Sequence, residues 1–223
     1  MFFNHPNITN LYLSLVKMAA TATTTTADSS FTFPREYHFP AFFTRQTNLT
    51  TLHAQRNKWA DLILAYARHN RIFRLSLSEA ADSDLFVNRK LDRRLQFDDI
   101  RDVVSFMHTD GRVEYVGGGT SGDVVFLYWR KPEEWAELVE NYVEESGQKG
   151  SVLTVYELVE GDGTKGNGMF NNEREAVSVY TLLIVTDIHG MDTDVLLKAL
   201  NVLVKRNKAQ IFGQDDSLGV KFF

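Results

Sequence analysis

The segment Trp-Arg-Lys-Pro-Glu-Glu-Trp at 129–135 joins a predicted strand directly to a predicted helix. An apolar run at 123–129 enters this junction. Pro132 suits the first helical position, because the N–H that proline lacks is one of the unsatisfied donors at that end. Glu133 and Glu134 follow in the first turn, where carboxylates interact favourably with the helix dipole. The chain therefore passes from strand to helix with almost no linker, and the sequences on either side can be compared as two successive units.

The sequences before and after the junction repeat the same order of elements. Each has a helix with the same residue types at i, i+3, i+4 and i+7, which places apolar side chains on one face: Trp59, Leu62, Ile63 and Tyr66, then Trp135, Leu138, Val139 and Tyr142. A short apolar run, a second amphipathic helix and two strand-like runs around a turn follow each helix. This order predicts an α+β fold of two tandem winged-helix domains, each with three helices and a small antiparallel hairpin.

The repeat divides the chain into segments. We expect a disordered, threonine-rich N-terminal extension at 1–30, an interaction arm at 31–47, a first winged-helix domain at 48–130 and a second at 131–223. The second unit is about 20 residues longer than the first, which indicates a flexible insert at about 162–190. Because the repeat closes without it, removing 171–188 is expected to leave the second domain folded.

Local patterns predict the elements of the first domain and one cap in the second. The first helix is expected at 49–70, a short second helix at 78–81 with Ser78 as N-cap, and the third helix at 96–109. The charged stretch 85–95 is expected to be a loop with a possible turn of helix. Asp192 or Thr193 is expected to cap the last helix.

The segment 31–44 contains five phenylalanines and a tyrosine among two prolines, without a helical or strand period. Proline favours extended backbone for itself and for its predecessor. Such a segment either packs along the first domain or docks its aromatic rings into another protein. The docking interpretation assigns partner binding to Pro34, Tyr37, Phe39, Pro40, Phe42 and Phe43. It predicts that replacing Phe42 and Phe43 by alanine weakens assembly and leaves stability unchanged, whereas the packing interpretation predicts the reverse.

The residue chemistry favours a protein-interaction module over an enzyme. The chain has no cysteine, and its six histidines are scattered without metal-ligand spacing, so we predict no metal site and no cofactor. We find no nucleophile that the sequence places beside a base, so we predict no catalytic residue.

Winged helices often bind DNA, which leaves a DNA-binding or transcription-associated protein as the alternative. The net charge of −5 has the wrong sign for that function. Acidic residues outnumber Arg101 in the third helix, and Asp192 and Asp194 open the last helix where base contacts would be made. The later basic part of that helix, at 198–208, weakens this argument for the second domain.

Several motifs resemble one family, the small tandem winged-helix subunit of the endosomal sorting complex ESCRT-II, of the Vps25 type. The main ones are the proline-aromatic segment 34–44, the junction 129–135 and the ending Gly-Val-Lys-Phe-Phe at 219–223. Shorter matches are Leu-Phe-Val-Asn at 85–88, Ser-Gly-Gln at 146–148, Tyr-Glu-Leu at 156–158 and His-Gly at 189–190. The sequence departs from the family at Ala41, where a second proline is usual, in residues 1–30 and in most of 171–188.

The resemblance implies a cytoplasmic, non-enzymatic subunit that is recruited to the endosome membrane. Two copies would serve one Y-shaped complex, each bound to one of the two larger subunits through the arm and the first domain. The second domain would recruit the ESCRT-III subunit that initiates polymerisation, for sorting of ubiquitinated cargo into multivesicular bodies. Contact with the membrane would be indirect, and no nucleic acid would be bound.

Overall fold

Helices and strands alternate in the order that the repeat predicts. The computed structural model describes residues 30–161, 164, 187–213 and 218–223. Its α-helices in these ranges are α1 Leu49–Asn70, α2 Leu77–Ala80, α3 Phe97–Thr109, α4 Pro132–Glu145, α5 Val155–Glu160 and α6 Thr193–Lys205. Its strands are β1 Arg74–Ser76, β2 Val87–Asn88, β3 Arg93–Arg94, β4 Val113–Tyr115, β5 Val124–Leu127, β6 Val152–Thr154, β7 Ala209–Phe212 and β8 Gly219–Phe222.

Both hairpins are part of three-stranded antiparallel sheets with the same topology. The first sheet has the order β1-β5-β4, and the second has the equivalent order β6-β8-β7. In the first, Val125 pairs with Leu75 on one side and with Tyr115 on the other. In the second, Val220 occupies the equivalent position between Leu153 and Ile211. Together with three helices in each unit, these sheets confirm the predicted tandem winged-helix fold.

Two local predictions for the first domain need correction. Helix α2 begins one residue earlier than expected, and its N-cap is Ser76, whose hydroxyl accepts a hydrogen bond from the backbone N–H of Glu79 at 3.4 Å. Ser78 lies inside the helix instead. The stretch 85–95 contains the two-residue strands β2 and β3, which pair as a small hairpin. Strands this short carry no recognisable alternation, so the sequence showed only a loop.

The capping predictions for the second domain fit the structure. Pro132 opens α4, and the carboxylate of Glu134 accepts a hydrogen bond from the Lys131 backbone N–H at 2.7 Å. Asp192 is the N-cap of α6 and accepts from the backbone N–H groups of Asp194 and Val195 at 3.0 and 3.3 Å. Of the two proposed caps, the structure therefore selects Asp192.

The second hydrophobic core extends beyond the second domain. Its buried cluster includes Phe73, Phe126 and Tyr128 from the first domain's side of the junction, and Trp129 packs against both cores. Ile188, at the end of the expected insert, is completely buried in the same cluster. The prediction that 171–188 is dispensable is therefore wrong for Ile188. The rest of that segment lies outside the described residues.

Candidate protein-interaction site

The arm folds into two consecutive 3₁₀ turns, at Arg35–His38 and Pro40–Phe43. Each turn begins next to a proline, whose fixed φ favours the first position of a turn. Backbone hydrogen bonds of 3.0 Å close the turns, from the Tyr37 N–H to the Pro34 carbonyl and from the Phe42 N–H to the Phe39 carbonyl. These turns direct some side chains of the arm toward the first domain and others toward solvent.

One side of the arm is part of the first domain's core. Tyr37, Phe42 and Phe43 are at least 93% buried. The Phe42 ring stacks on Trp59 of α1 with centroids 4.3 Å apart, and the Trp59 indole N–H donates to the Phe42 carbonyl at 3.0 Å. The expectation that these three rings are free to enter a partner is therefore wrong. In a 3₁₀ turn they can all face one surface, which an extended backbone would not allow.

Side-chain amides bind the arm's backbone to its domain. Gln55 of α1 donates to the carbonyls of Phe42 and Thr44, both at 2.8 Å. Asn88 of β2 donates to the Tyr37 carbonyl at 2.8 Å. These bonds satisfy carbonyls that an irregular segment leaves without secondary-structure partners.

The opposite side of the arm faces solvent. Phe39 is 49% exposed, and Pro34 and Pro40 are exposed as well. An open groove of about 470 Å³ lies between Phe39 and α1, with Ala41, Phe42 and Ala54 among its lining residues. Exposed aromatic rings beside an apolar groove are typical of protein-binding surfaces. Of the predicted partner-binding residues, Pro34, Phe39 and Pro40 are thus the ones available to a partner.

An ion pair stands between this groove and a second one. The Lys58 ammonium lies 2.7 Å from the Glu36 carboxylate, and both residues line both grooves. The second groove measures about 350 Å³ and is lined by Phe31, Pro34 and α1 residues among others. The two grooves thus lie next to each other along the outer side of the arm, and this ion pair is common to both.

The acidic face of α3 is occupied by arginines of the same domain. Arg45, just after the arm, lies 3.0 Å from both Asp99 and Asp102, and Arg56 of α1 also pairs with Asp102. These contacts attach the arm's end to the helix that would enter a DNA groove. The Asp99 and Asp102 carboxylates of α3 are thus engaged within the protein.

The N-terminus of α6 is held against the first domain. The Arg74 guanidinium of β1 contacts the carboxylates of Asp192 and Asp194, each at 2.6 Å. The hydrogen bonds that Arg74 donates, above all the one to Asp192, raise the pKa of Arg74. Nearby, Arg130 pairs with Asp187 at 2.5 Å. The aspartates at the start of the last helix therefore bind the neighbouring domain, at the position where a DNA reader presents its base contacts.

A second polar contact joins the sheet of the first domain to the middle of α6. Glu114 of β4 accepts hydrogen bonds from the Lys198 ammonium at 2.6 Å and from the Tyr128 hydroxyl at 2.7 Å. Burial opposes ionisation of Glu114, but the hydrogen bonds from Lys198 and Tyr128 outweigh it and lower its pKa. Lys198 also lies 5.1 Å from the centroid of the Phe126 ring. We name the contacts of Arg74 and Glu114 with α6 the interdomain clamp.

Sequence reasoning missed the residues that fix this geometry. Arg74 and Glu114 lie on short strands as single charged residues, a pattern that is typical of solvent-exposed positions. Asn88 and Gln55 are polar residues whose partners are backbone carbonyls far away in sequence. The Leu-Phe-Val-Asn segment at 85–88 was the available signal for Asn88, although nothing in it indicated what Asn88 contacts.

The second domain leaves one face of its sheet exposed. Val152, Phe212 and Phe223 point outward and are between 46% and 51% exposed. The Phe212 ring lies over Gly219, where an added Cβ would come within 2.8 Å of the ring. The Lys221 ammonium lies 5.6 Å from the Phe223 ring centroid. This apolar outer face is opposite to the helices of its own domain.

Metal and membrane chemistry are not apparent in the described ranges. There, no three or more histidine or carboxylate side chains come together as ligands for a metal ion. Among the same residues, no helix is long and apolar enough to cross a bilayer.

The fold defines a tandem winged-helix protein, and its exposed apolar surfaces are of the kind that bind other proteins. A family model described as ESCRT-II complex subunit matches residues 36–173. The chain is 36% identical to vacuolar protein-sorting-associated protein 25 of Danio rerio, over 87% of this chain and 99% of that protein. It is 35% identical to the Homo sapiens protein of the same name, over 87% and 98%.

Solved structures agree with this relationship. One described as the crystal structure of subunit VPS25 of the endosomal trafficking complex ESCRT-II matches with a TM-score of 0.69 and 25% identity, over 86% of this chain and 98% of that chain. A structure of the ESCRT-II endosomal trafficking complex matches with a TM-score of 0.68, over 85% and 99%. The chain belongs to the Vps25 family of ESCRT-II subunits.

Proposed function

We propose that this chain is a non-enzymatic subunit that assembles with the two larger subunits of an ESCRT-II complex, one copy on each. One solved relative is a complex described as VPS22/VPS25/VPS36, and its similar chain has a TM-score of 0.67 with this one. The observation that carries the proposal is the exposed side of the arm. A half-exposed Phe39 and two exposed prolines lie beside an apolar groove on a backbone that is already ordered.

Because the arm is ordered on the first domain, the predicted partner-binding residues divide into two groups with different roles. Tyr37, Phe42 and Phe43 hold the arm on the first domain, and Pro34, Phe39 and Pro40 contact the partner. Ordering the arm before binding removes an entropic cost that a free segment would incur in the complex. Ala41 makes the backbone less stiff than a second proline would, and the bonds from Gln55 compensate for this by fixing the neighbouring carbonyls.

Reconstitution tests the assembly. The purified chain is mixed with the two larger subunits, and the mass of the complex is measured by light scattering after gel filtration. The expected mass corresponds to two copies of this chain and one of each larger subunit. A complex with a single copy, or none, would refute the proposed stoichiometry.

Recruitment of the ESCRT-III initiating subunit is assigned to the second domain, through the outer face of its sheet. The clamp occupies the side of this domain that faces the first domain, and the arm serves the larger subunits. The face with Val152, Phe212 and Phe223 is an exposed apolar surface that neither the clamp nor the arm uses, so it is available to a further partner. Through this contact the chain would serve sorting of ubiquitinated cargo at the endosome, while reaching the membrane indirectly.

A charge substitution tests this contact. Phe212→Asp is expected to weaken binding of the ESCRT-III subunit at least about tenfold, because it replaces one of the exposed aromatic rings of this face, on the edge strand β7, with a carboxylate. Phe97→Asp is the matched control, since Phe97 is similarly exposed, at 41%, but lies on the first domain. Equal affinity of the two variants would place the contact elsewhere.

DNA binding is the alternative function, and the structure gives it little support. The start of α6 is engaged by Arg74, and the acidic face of α3 is engaged by Arg45 and Arg56. Phosphate attraction supplies most non-specific affinity for DNA, and these contacts leave little positive potential where a groove would approach.

A further inference from the structure

The small hairpin β2–β3 and the arm are joined by a reciprocal set of hydrogen bonds. The Tyr37 hydroxyl donates to the backbone carbonyl of Val87 at 3.1 Å and also to that of Asp84. In return, the Asn88 side-chain amide donates to the backbone carbonyl of Tyr37 at 2.8 Å. Each element thus supplies a side-chain donor to the backbone of the other.

Asn88 is unusually placed for an amide. Its residue exposure is 5%, and among the described residues it and Thr164 are the buried polar side chains. Its Oδ1 accepts from the backbone N–H of Leu91 at 3.1 Å, which closes the turn of the hairpin. A buried amide is retained at low cost only when it is hydrogen-bonded, and here its nitrogen donates to the arm and its oxygen accepts from the hairpin.

The hydrogen bonds between Tyr37 and the hairpin act at the centre of the arm. Tyr37 is the last residue but one of the first 3₁₀ turn, and the exposed Phe39 follows two residues later. Burial raises the pKa of the Tyr37 phenol to about 12, so the hydroxyl remains a donor throughout the physiological range. Fixing Tyr37 from both its hydroxyl and its carbonyl therefore sets where Phe39 and Pro40 emerge.

We propose that Asn88 is a positioning residue for partner binding, which holds the arm in the register that presents Phe39 and Pro40. The role explains why the Leu-Phe-Val-Asn segment ends in an amide at this site. Phe86 of that segment packs toward Trp59, with ring centroids 5.8 Å apart, while Asn88 reaches the arm itself. The effect of Asn88 on partner binding rests on the proposed function. Its effect on the order of the arm does not, and can be measured separately.

Hydrogen exchange measures the order of the arm directly. The backbone N–H groups of Tyr37, Phe39 and Phe42 are bonded within the arm's turns, so their protection reports the docked state. In Asn88→Ala, we expect their protection to fall at least about tenfold, because the Tyr37 carbonyl is left buried without its donor. Lys90→Ala, an exposed position on the same hairpin, is the control and should leave their protection unchanged.

A second variant distinguishes loss of the hydrogen bond to the arm from disruption of the hairpin turn. Asn88→Asp keeps the acceptor for the Leu91 N–H and loses the donor to Tyr37. It should therefore preserve protection of Leu91 while exposing the arm as Asn88→Ala does. Unchanged arm protection in both variants would overturn the proposal. So would an equal loss of protection across α1, since that result would mean general destabilisation of the domain.

Binding to the larger subunits completes the test. The apparent affinity should fall in proportion to the docked fraction that exchange reports, because only the docked arm presents the contact residues. A fall in affinity without a change in arm protection would contradict the positioning role. If Phe39→Ala binds as tightly as the wild type while Asn88→Ala still frees the arm, the proposed function fails and the positioning of the arm by Asn88 stands.

Discussion

Phe39 and Phe42 lie three residues apart on one arm and have opposite environments. Phe42 is 7% exposed and stacked on Trp59, whereas Phe39 is 49% exposed. The sequence predicted that these rings must be covered, since an isolated irregular segment cannot bury them. The sequence could not show whether the first domain or a partner protein covers each ring, because the segment has no period that separates an inner from an outer side. The two 3₁₀ turns supply that separation.

Replacing Phe42 by alanine tests the inner side. The change removes a ring that packs between the arm and α1, and we expect the free energy of unfolding to fall by about 3 kcal/mol. Chemical denaturation of the isolated chain measures it. Phe39→Ala is the control, and a loss within about 0.5 kcal/mol is expected there, as for exposed positions in general. Equal losses at both positions would show that the arm is not packed as described.

At the scale of elements, the sequence predicted the helices and strands that have an apolar period. It did not predict the features that depend on contacts between single residues. The amphipathic helices and the paired hairpins follow from their apolar spacing. The strands β2 and β3 are too short to show alternation. The junction at 129–135 was evident as a chain connection, but the clamp that fixes its geometry joins Arg74 to residues about 120 positions away.

A double-mutant cycle measures the clamp. Arg74→Ala and Asp192→Asn are made singly and together; asparagine keeps the helix cap and removes the charge. Because Arg74 is 41% exposed, we expect a modest coupling energy of about 0.5–1 kcal/mol. The exposed pair Arg94–Asp82, within the first domain, is the matched control and should show coupling near zero. Coupling that is no larger in the clamp than in this pair would contradict the assignment.

The buried end of the expected insert gives another prediction at this scale. Ile188 is completely enclosed by the second core, so Ile188→Ala should lower the free energy of unfolding by about 2–5 kcal/mol. Val152→Ala, at a half-exposed apolar position of the same domain, serves as control. Denaturation curves that coincide for the wild type and Ile188→Ala would show that this residue does not belong to the core.

At the scale of the whole molecule, the two domains form one unit through a shared apolar junction and the clamp. Phe73, Phe126 and Tyr128 of the first domain's side belong to the second core, and α6 is held at its start and at its middle. Both helices that could read DNA thus have aspartates that are paired with arginines of the same chain. Among the described residues, exposed apolar side chains on the arm and on the second sheet form two separate surfaces.

This arrangement predicts weak binding to DNA. Titration with duplexes at physiological salt should give dissociation constants weaker than about 10⁻⁶ M, without sequence preference. Arg74→Ala, which frees Asp192 and Asp194, should not increase the affinity, since it exposes further negative charge. A duplex bound more tightly than this limit would favour the transcription-associated alternative.

The central claim is that the arm's two sides have separate roles, one in stability and one in assembly. The most direct measurement is calorimetric titration of the Phe39→Ala variant into the purified larger subunits, with its thermal unfolding recorded in parallel. We predict an affinity at least about tenfold weaker than that of the wild type, corresponding to about 1.4 kcal/mol, and an unchanged melting temperature. Wild-type affinity in this variant, or a melting temperature that falls together with the affinity, would contradict the account.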